Sequence, residues 1–196
     1  TVTVTDSASN SVTLNMSSFS VIGQMGGSIQ GAELSLSTVV TTLAGTGSSG
    51  SSNGTGTSAS FYNSQGITTD GTNLYVGDTS NQLIRKIVIS TGEVTTVAGT
   101  GSNGSTNGTG TSASFKSPTG ITTDGKILYV ADYSNHLIRK IVISTGVVTT
   151  VAGTGSIGSA NGTGTSASFN YPNGITTDGT NLYVADGDNH LIRKIV

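Results

Sequence analysis

The sequence predicts an all-β chain of tandem four-stranded blades, and three observations carry the prediction. A unit of 54 residues recurs, each copy holds four short runs rich in Val, Ile and Thr, and turn dipeptides separate those runs at hairpin spacing. The 196 residues contain 29 Gly and only 9% charged residues, with a formal net charge of -2. Disorder goes with high net charge and few β-branched residues, so this Gly-rich chain is expected to fold.

The repeat fixes the architecture. Ala44-Gly45-Thr46-Gly47 returns at Ala98 and Ala152, the run from Asn53 to Phe61 returns at Asn107 and Asn161, and Leu83-Ile84-Arg85-Lys86-Ile87-Val88 returns at Leu137 and Leu191. Aligning residues 44–88 with 98–142 and 152–196 gives 45 positions, of which 12 differ in any copy and 33 are unchanged. Copies this alike arise by recent duplication.

In the second copy the strands are expected at 120–124, 128–132, 137–143 and 147–152. Asp124-Gly125 turns the first hairpin, residues 132–135 the second, and Ser144-Thr145-Gly146 the third, where Gly supplies a positive φ. One four-stranded sheet of this size cannot cover both its faces, so successive units must stack as blades of a β-propeller.

Asn135-His136-Leu137, preceded by Leu128-Tyr129-Val130-Ala131-Asp132 and followed by Ile138-Arg139-Lys140-Ile141, resembles the NHL-repeat family of propellers. The resemblance spans residues 39–196. It departs from the family in two places: the first copy reads Asn81-Gln82-Leu83, and a Gly/Ser-rich loop (100–117 in the second copy) stretches the period beyond the roughly 40–45 residues usual for a propeller blade.

Three blades are fewer than the roughly four to eight that close a ring. The third copy stops after its third strand, while residues 39–44 read as an orphan fourth strand. The expectation is an incomplete ring, finished by further blades or by a second chain that exchanges the orphan strand. Val39, Val40 and Leu43 would meet Leu191, Ile192 and Ile195 there. Residues 1–38 form an N-terminal β-rich segment, read as a linker, the tail of a preceding domain or an exchanged strand. Within it Thr and Val alternate over residues 1–5, and residues 34–38 echo 141–145 as a worn third strand.

The chemical inventory is thin. There is no Cys, so no disulfide or thiolate chemistry, and six of the eight basic residues form three Arg-Lys dipeptides rather than a basic face for nucleic acid. No run approaches the roughly 18 apolar residues of a spanning helix, and no signal-peptide pattern opens the chain. His136 and His190 face Gln82 at the equivalent position, short of the three or four protein ligands that zinc takes. The resemblance includes a zinc propeller, the peptide-amidating lyase, whose several His ligands are missing here, so a zinc-dependent lyase is only the third reading. No cofactor and no catalytic residue are expected. Asp78, Asp132 and Asp186 open the second turn, where a carboxylate accepts backbone N–H groups as in an Asx turn. Arg85, Arg139 and Arg193 lie mid-strand and are expected to pair with an Asp. The Asn-Gly-Thr triplets at 53, 107 and 161 read as turns that also satisfy the N-glycosylation pattern.

Nine of the 12 differing positions lie before the first strand or between the second and third, two loops that emerge on one side, here called the top. Tyr62, Tyr133, His136, Tyr171, Asp188 and His190 are the candidate binding residues there. The sequence thus points to a non-enzymatic, extracellular or cell-surface bacterial module that self-assembles into a ring or filament. The rival reading is a protein- or glycan-binding propeller using the top loops.

Overall fold

The computed structural model describes residues 2–5, 11–14 and 38–196. Two compact units divide the chain, residues 1–39 and 40–196. In the first, β1 (Val2–Thr5) and β2 (Ser11–Leu14) form an antiparallel hairpin with Val2 opposite Leu14 and Thr5 opposite Ser11. The alternating Thr/Val run thus has its partner within its own segment. The expected worn strand at 34–38 falls almost wholly outside the described residues.

The second unit is three antiparallel sheets. The first blade comprises β3 (Gly54–Thr55), β4 (Ile67–Thr69), β5 (Asn73–Asp78), β6 (Leu83–Val88) and β7 (Glu93–Ala98), in spatial order β3-β7-β6-β5-β4. The second repeats this with β8 (Gly108–Thr109), β9 (Pro118–Thr123), β10 (Ile127–Asp132), β11 (Leu137–Val142) and β12 (Val147–Ala152). The third holds β13 (Pro172–Thr177), β14 (Leu182–Asp186) and β15 (Leu191–Ile195). Four strands per blade were expected from the sequence. Two blades instead carry a fifth, because the Gly/Ser loop returns along the outer edge and pairs Gly54 with Val94 and Gly108 with Val148. In these two blades the Gly of each Asn-Gly pair therefore opens a short strand rather than a turn. In the third blade the corresponding Gly162-Thr163 has no strand to pair with among the described residues.

Residues 39–44 form no strand within this chain, and Val39 and Val40 are 77% and 96% exposed. A strand is held by its neighbour's ladder, and among the described residues none pairs with this segment.

Alternation along each central strand assigns side chains to the two blade junctions. Leu128 and Val130 of β10 and Ile141 of β11 pack with Tyr75, Ile84 and Phe115 at the first junction. Ala131 and Ile138 point the other way, joining Phe169 and Val184 at the second. Each core is thus shared by two blades, which is why a single copy would be unstable. On the inner side, glycine sets the spacing: a Cβ on Gly66 would lie 2.0 Å from the Thr119 carbonyl oxygen, and one on Gly120 would lie 2.3 Å from that of Asn173. No L side chain fits at either position.

One polar network recurs in every blade. Arg139 Nη1 donates to Asp132 Oδ2 (2.8 Å) and the Ser114 carbonyl, Nη2 donates to the Thr106 carbonyl and Asn107 Oδ1, and the guanidinium lies 5.2 Å from the centre of the Phe115 ring. Arg85 and Asp78, and Arg193 and Asp186, repeat the pair at 2.8 Å. The fork ties the Gly/Ser loop to the blade, so a segment of low intrinsic order is fixed by one buried cation. The Asp also differs from the expected Asx turn. Asp132 Oδ1 accepts the N–H of Lys116, 16 residues earlier, and Oδ2 takes the Asn135 amide and the Arg. The Asx geometry falls to Asp70, Asp124 and Asp178, each accepting N–H groups two and three residues on. Burial works against the Asp70 carboxylate, but Asn73, the Thr72 N–H and the Tyr75 hydroxyl together hold it well below the carboxylate range. The Tyr75 phenol is pushed up to about 12 by burial and by that carboxylate.

Candidate binding face

The top face is built by hydrogen bonds between the two loops that differ most between copies. The N–H of Ser80 donates to the Tyr62 carbonyl, that of Ser134 to Lys116 and that of Asp188 to Asn170. These bonds bring residues 62–65 beside 79–82, and likewise in the other blades.

Position 82 joins one blade to the next. Gln82 has φ 58 and His136 φ 55, so both occupy the left-handed region at the end of a 3-10 turn. That conformation aims the side chain across the junction. Gln82 Oε1 accepts the N–H of Ser117 at 2.5 Å, and His136 Nδ1 accepts that of Tyr171 at 3.1 Å. Ser117 and Tyr171 are themselves left-handed, both with φ 53. A neutral amide and a neutral imidazole thus do the same work, which explains why Gln replaces His in the first copy.

His136 therefore serves the junction. It is buried, and its ring meets Tyr171 edge-on at 4.6 Å. Tyr171 in turn packs against Tyr133 at 4.8 Å, so three of the six candidate residues come together. Tyr62, half exposed, lies apart on the first blade, and Asp188 and His190 lie on the exposed turn of the third. Selection by aromatic and ionisable character missed Gln82 and the small polar residues around Tyr133. All of them stand at differing positions, which was the available signal.

Burial first, then the Lys116 charge, lower the His136 imidazole below its ordinary value, with Asp186 and Asp188 opposing. The unfolded imidazole takes up its proton near pH 6.5, the folded one only at lower pH. Below about pH 6.5 the unfolded state binds more protons, so this contribution to stability is complete above that pH and is lost as pH falls through the folded value. A series of urea midpoints between about pH 7.5 and 5 should show this loss. His136→Gln, which installs the Gln82 solution, should flatten that slope, whereas His136→Ala should cost about 1–3 kcal/mol at neutral pH by orphaning the Tyr171 N–H. Identical slopes in the wild type and His136→Gln would contradict the assignment.

A cavity of about 270 Å³ opens on this face beside Tyr133, lined by residues of all three blades.

Stacked antiparallel sheets with shared junction cores and a clasped, divergent top face define the chain as consecutive blades of a β-propeller. A sequence model of the NHL repeat matches residues 169–195. The chain is 35% identical over 134 residues to NHL repeat-containing protein 2 of Bos taurus, an alignment covering 62% of this chain and 18% of that protein, and 35% identical over 132 residues to the Homo sapiens protein of the same name. The chain carries the NHL repeat and is similar to NHL-repeat β-propellers, and it spans under a fifth of the length of these relatives. Among solved structures, it is similar to an auxiliary nutrient binding protein from Bacteroides ovatus, with TM-score 0.57 and 28% identity, covering 64% of this chain and 35% of that one. A second auxiliary nutrient binding protein, from Bacteroides thetaiotaomicron, has TM-score 0.62 at 24% identity, a likeness of fold.

Proposed function

We propose that the chain is a non-catalytic binding module, exported or carried at a bacterial cell surface, that presents its ligand site on the top of the propeller. One observation carries this reading: the positions that differ between otherwise near-identical copies converge on one face and there surround a cavity. The likeness to a nutrient binding protein supports it. Panels of immobilised peptides and oligosaccharides should yield a binder whose signal falls on Tyr133→Ala and survives Lys126→Ala in a turn of the opposite face. A binder indifferent to Tyr133, or none in either panel, would remove the top face from the account.

Self-assembly is the second reading, favoured by a specific groove. Between β15 and the Asn161–Gly162–Thr163 segment lies a cavity of about 450 Å³, in the place where β7 and β12 lie in the other blades. Ile192 is 77% exposed beside it. Residues 40–44 repeat the pattern of Val148-Thr149-Thr150-Val151-Ala152 with Leu43 for Val, and are unpaired. In the register of β11 with β12, Ala44 of a second copy would face Ile192 and Thr42 would face Arg193. Light scattering should then show oligomers, and an excess of a synthetic peptide spanning residues 147–152 should dissolve them. A stable monomer at all concentrations would end this reading.

A further inference from the structure

We propose that the top-face cavity takes a neutral, polyhydroxylated ligand, a single sugar ring of an uncharged glycan; this rests on the binding-module reading above. Its walls are Asn63, Gln65 and Ser80 of the first blade, Ser117 and Tyr133 of the second and Asn173 of the third. None carries a charge. A phosphate or sulfate ligand would call for Arg or Lys forks, and an apolar ligand for an aliphatic lining; neither is present. Amides and hydroxyls that donate and accept at one site match the hydroxyls of a sugar, each of which does both.

The hydrogen-bonding capacity of these walls is free. Thr79 and Thr119, deeper in the cavity, spend their hydroxyls on the carbonyls of Pro118 and Asn173, which locks the inner strands together. Among the described residues the side chains of Asn63, Gln65, Ser80, Ser117, Tyr133 and Asn173 make no hydrogen bond. Tyr133, braced from behind by Tyr171 at 4.8 Å, adds a flat apolar face against which the C–H side of a pyranose can lie. A volume of about 270 Å³ falls just under the roughly 300 Å³ at which sites for drug-sized molecules begin, room for one ring with its neighbours outside.

The repeat supplies the independent argument. Every residue lining the cavity stands at the repeat position of Asn63, Gln65, Thr79 or Ser80, and all four positions differ among the copies. The loop from Asn53 to Phe61, which contains the buried Ala59 and Ser60 and the fork acceptor Asn53, is identical in all three. The loop that ties to the Arg fork is unchanged, while the residues around one cavity, from the buried Thr79 and Thr119 to the exposed Asn63, Gln65 and Asn173, differ between copies.

The test is an array of neutral oligosaccharides beside sulfated heparin oligosaccharides and a peptide panel, followed by calorimetric titration with the strongest neutral hit. Asn173→Ala and Tyr133→Ala should each weaken that hit at least tenfold without moving the thermal midpoint, and Lys126→Ala should leave it unchanged. Failure of every neutral saccharide, or binding indifferent to both substitutions, would overturn the proposal. If only peptides bound, and bound through Tyr133, the sugar assignment would fall while the binding face stood; if nothing bound, both would fall.

Discussion

Replacing Arg139 with methionine is expected to lower stability by about 3–5 kcal/mol, the usual consequence of removing one partner of a fully buried ion pair. Both side chains of the Arg139–Asp132 pair are 0% exposed, so the carboxylate would be left without its cation. Burial already pushes the Asp132 carboxyl up, against the Asn135 amide, the Lys116 N–H and Arg139, which favour its ionised form. Arg139→Lys should recover little, because one ammonium cannot reach acceptors on the loop (Thr106, Asn107), on Ser114 and on Asp132 at once. Arg139→Met with Asp132→Asn should recover part of the loss, since no charge is then stranded. The same change at Arg193, 10% exposed, should cost less. Urea melts of the four variants check the ordering, and a loss below about 1 kcal/mol at Arg139 would contradict the role given to the network.

The second large effect is expected at the inner strands. Gly120→Ala places a Cβ 2.3 Å from the Asn173 carbonyl oxygen and 2.9 Å from the Ile175 nitrogen, both backbone atoms of β13. Backbone cannot swing aside as a side chain can, so the junction must open, at a cost of about 3 kcal/mol. In a chain of this size that lowers the melting midpoint on the order of 10 °C. Gly125→Ala is the comparison, because a Cβ there meets nothing within 4 Å although φ is +87. It should cost about 1 kcal/mol from the backbone alone. Equal losses at both glycines would mean that close approach of blades does not govern the site.

Much of this was legible in the residues. The 54-residue period and the β-branched runs announced stacked four-stranded units, and the observed β9 to β12 lie within about two residues of the expected strands. That Arg139 pairs with an Asp was expected from a mid-strand charge in blades whose two faces both pack; that the partner is Asp132 was not. The fifth strand was hidden because Gly108-Thr109 has neither length nor β-propensity; it exists only because the neighbouring edge offers a ladder. The Asx role was assigned to the wrong Asp of each blade. Which carboxylate bonds locally depends on where the strands end, and Asp132 reaches Lys116 across 16 residues that pattern alone does not bring together. The proposed binding face was half visible: the differing positions do lie together on the top, but His136 turned inward and the amides beside Tyr133 carry no signature of their own.

Amide hydrogen exchange at the clasps tests the stacked-blade account most directly. Ser117 and Tyr171 lie in loops, and their N–H groups bond only to Gln82 and His136 of the preceding blade. Asn63 is the equivalent residue of the first blade, with the same left-handed φ of 53, and its N–H donates no bond among the described residues. Stacked blades predict that the amides of Ser117 and Tyr171 exchange at least about a hundredfold more slowly than that of Asn63. Equal, fast exchange at all three would show that the blades do not hold one another as described.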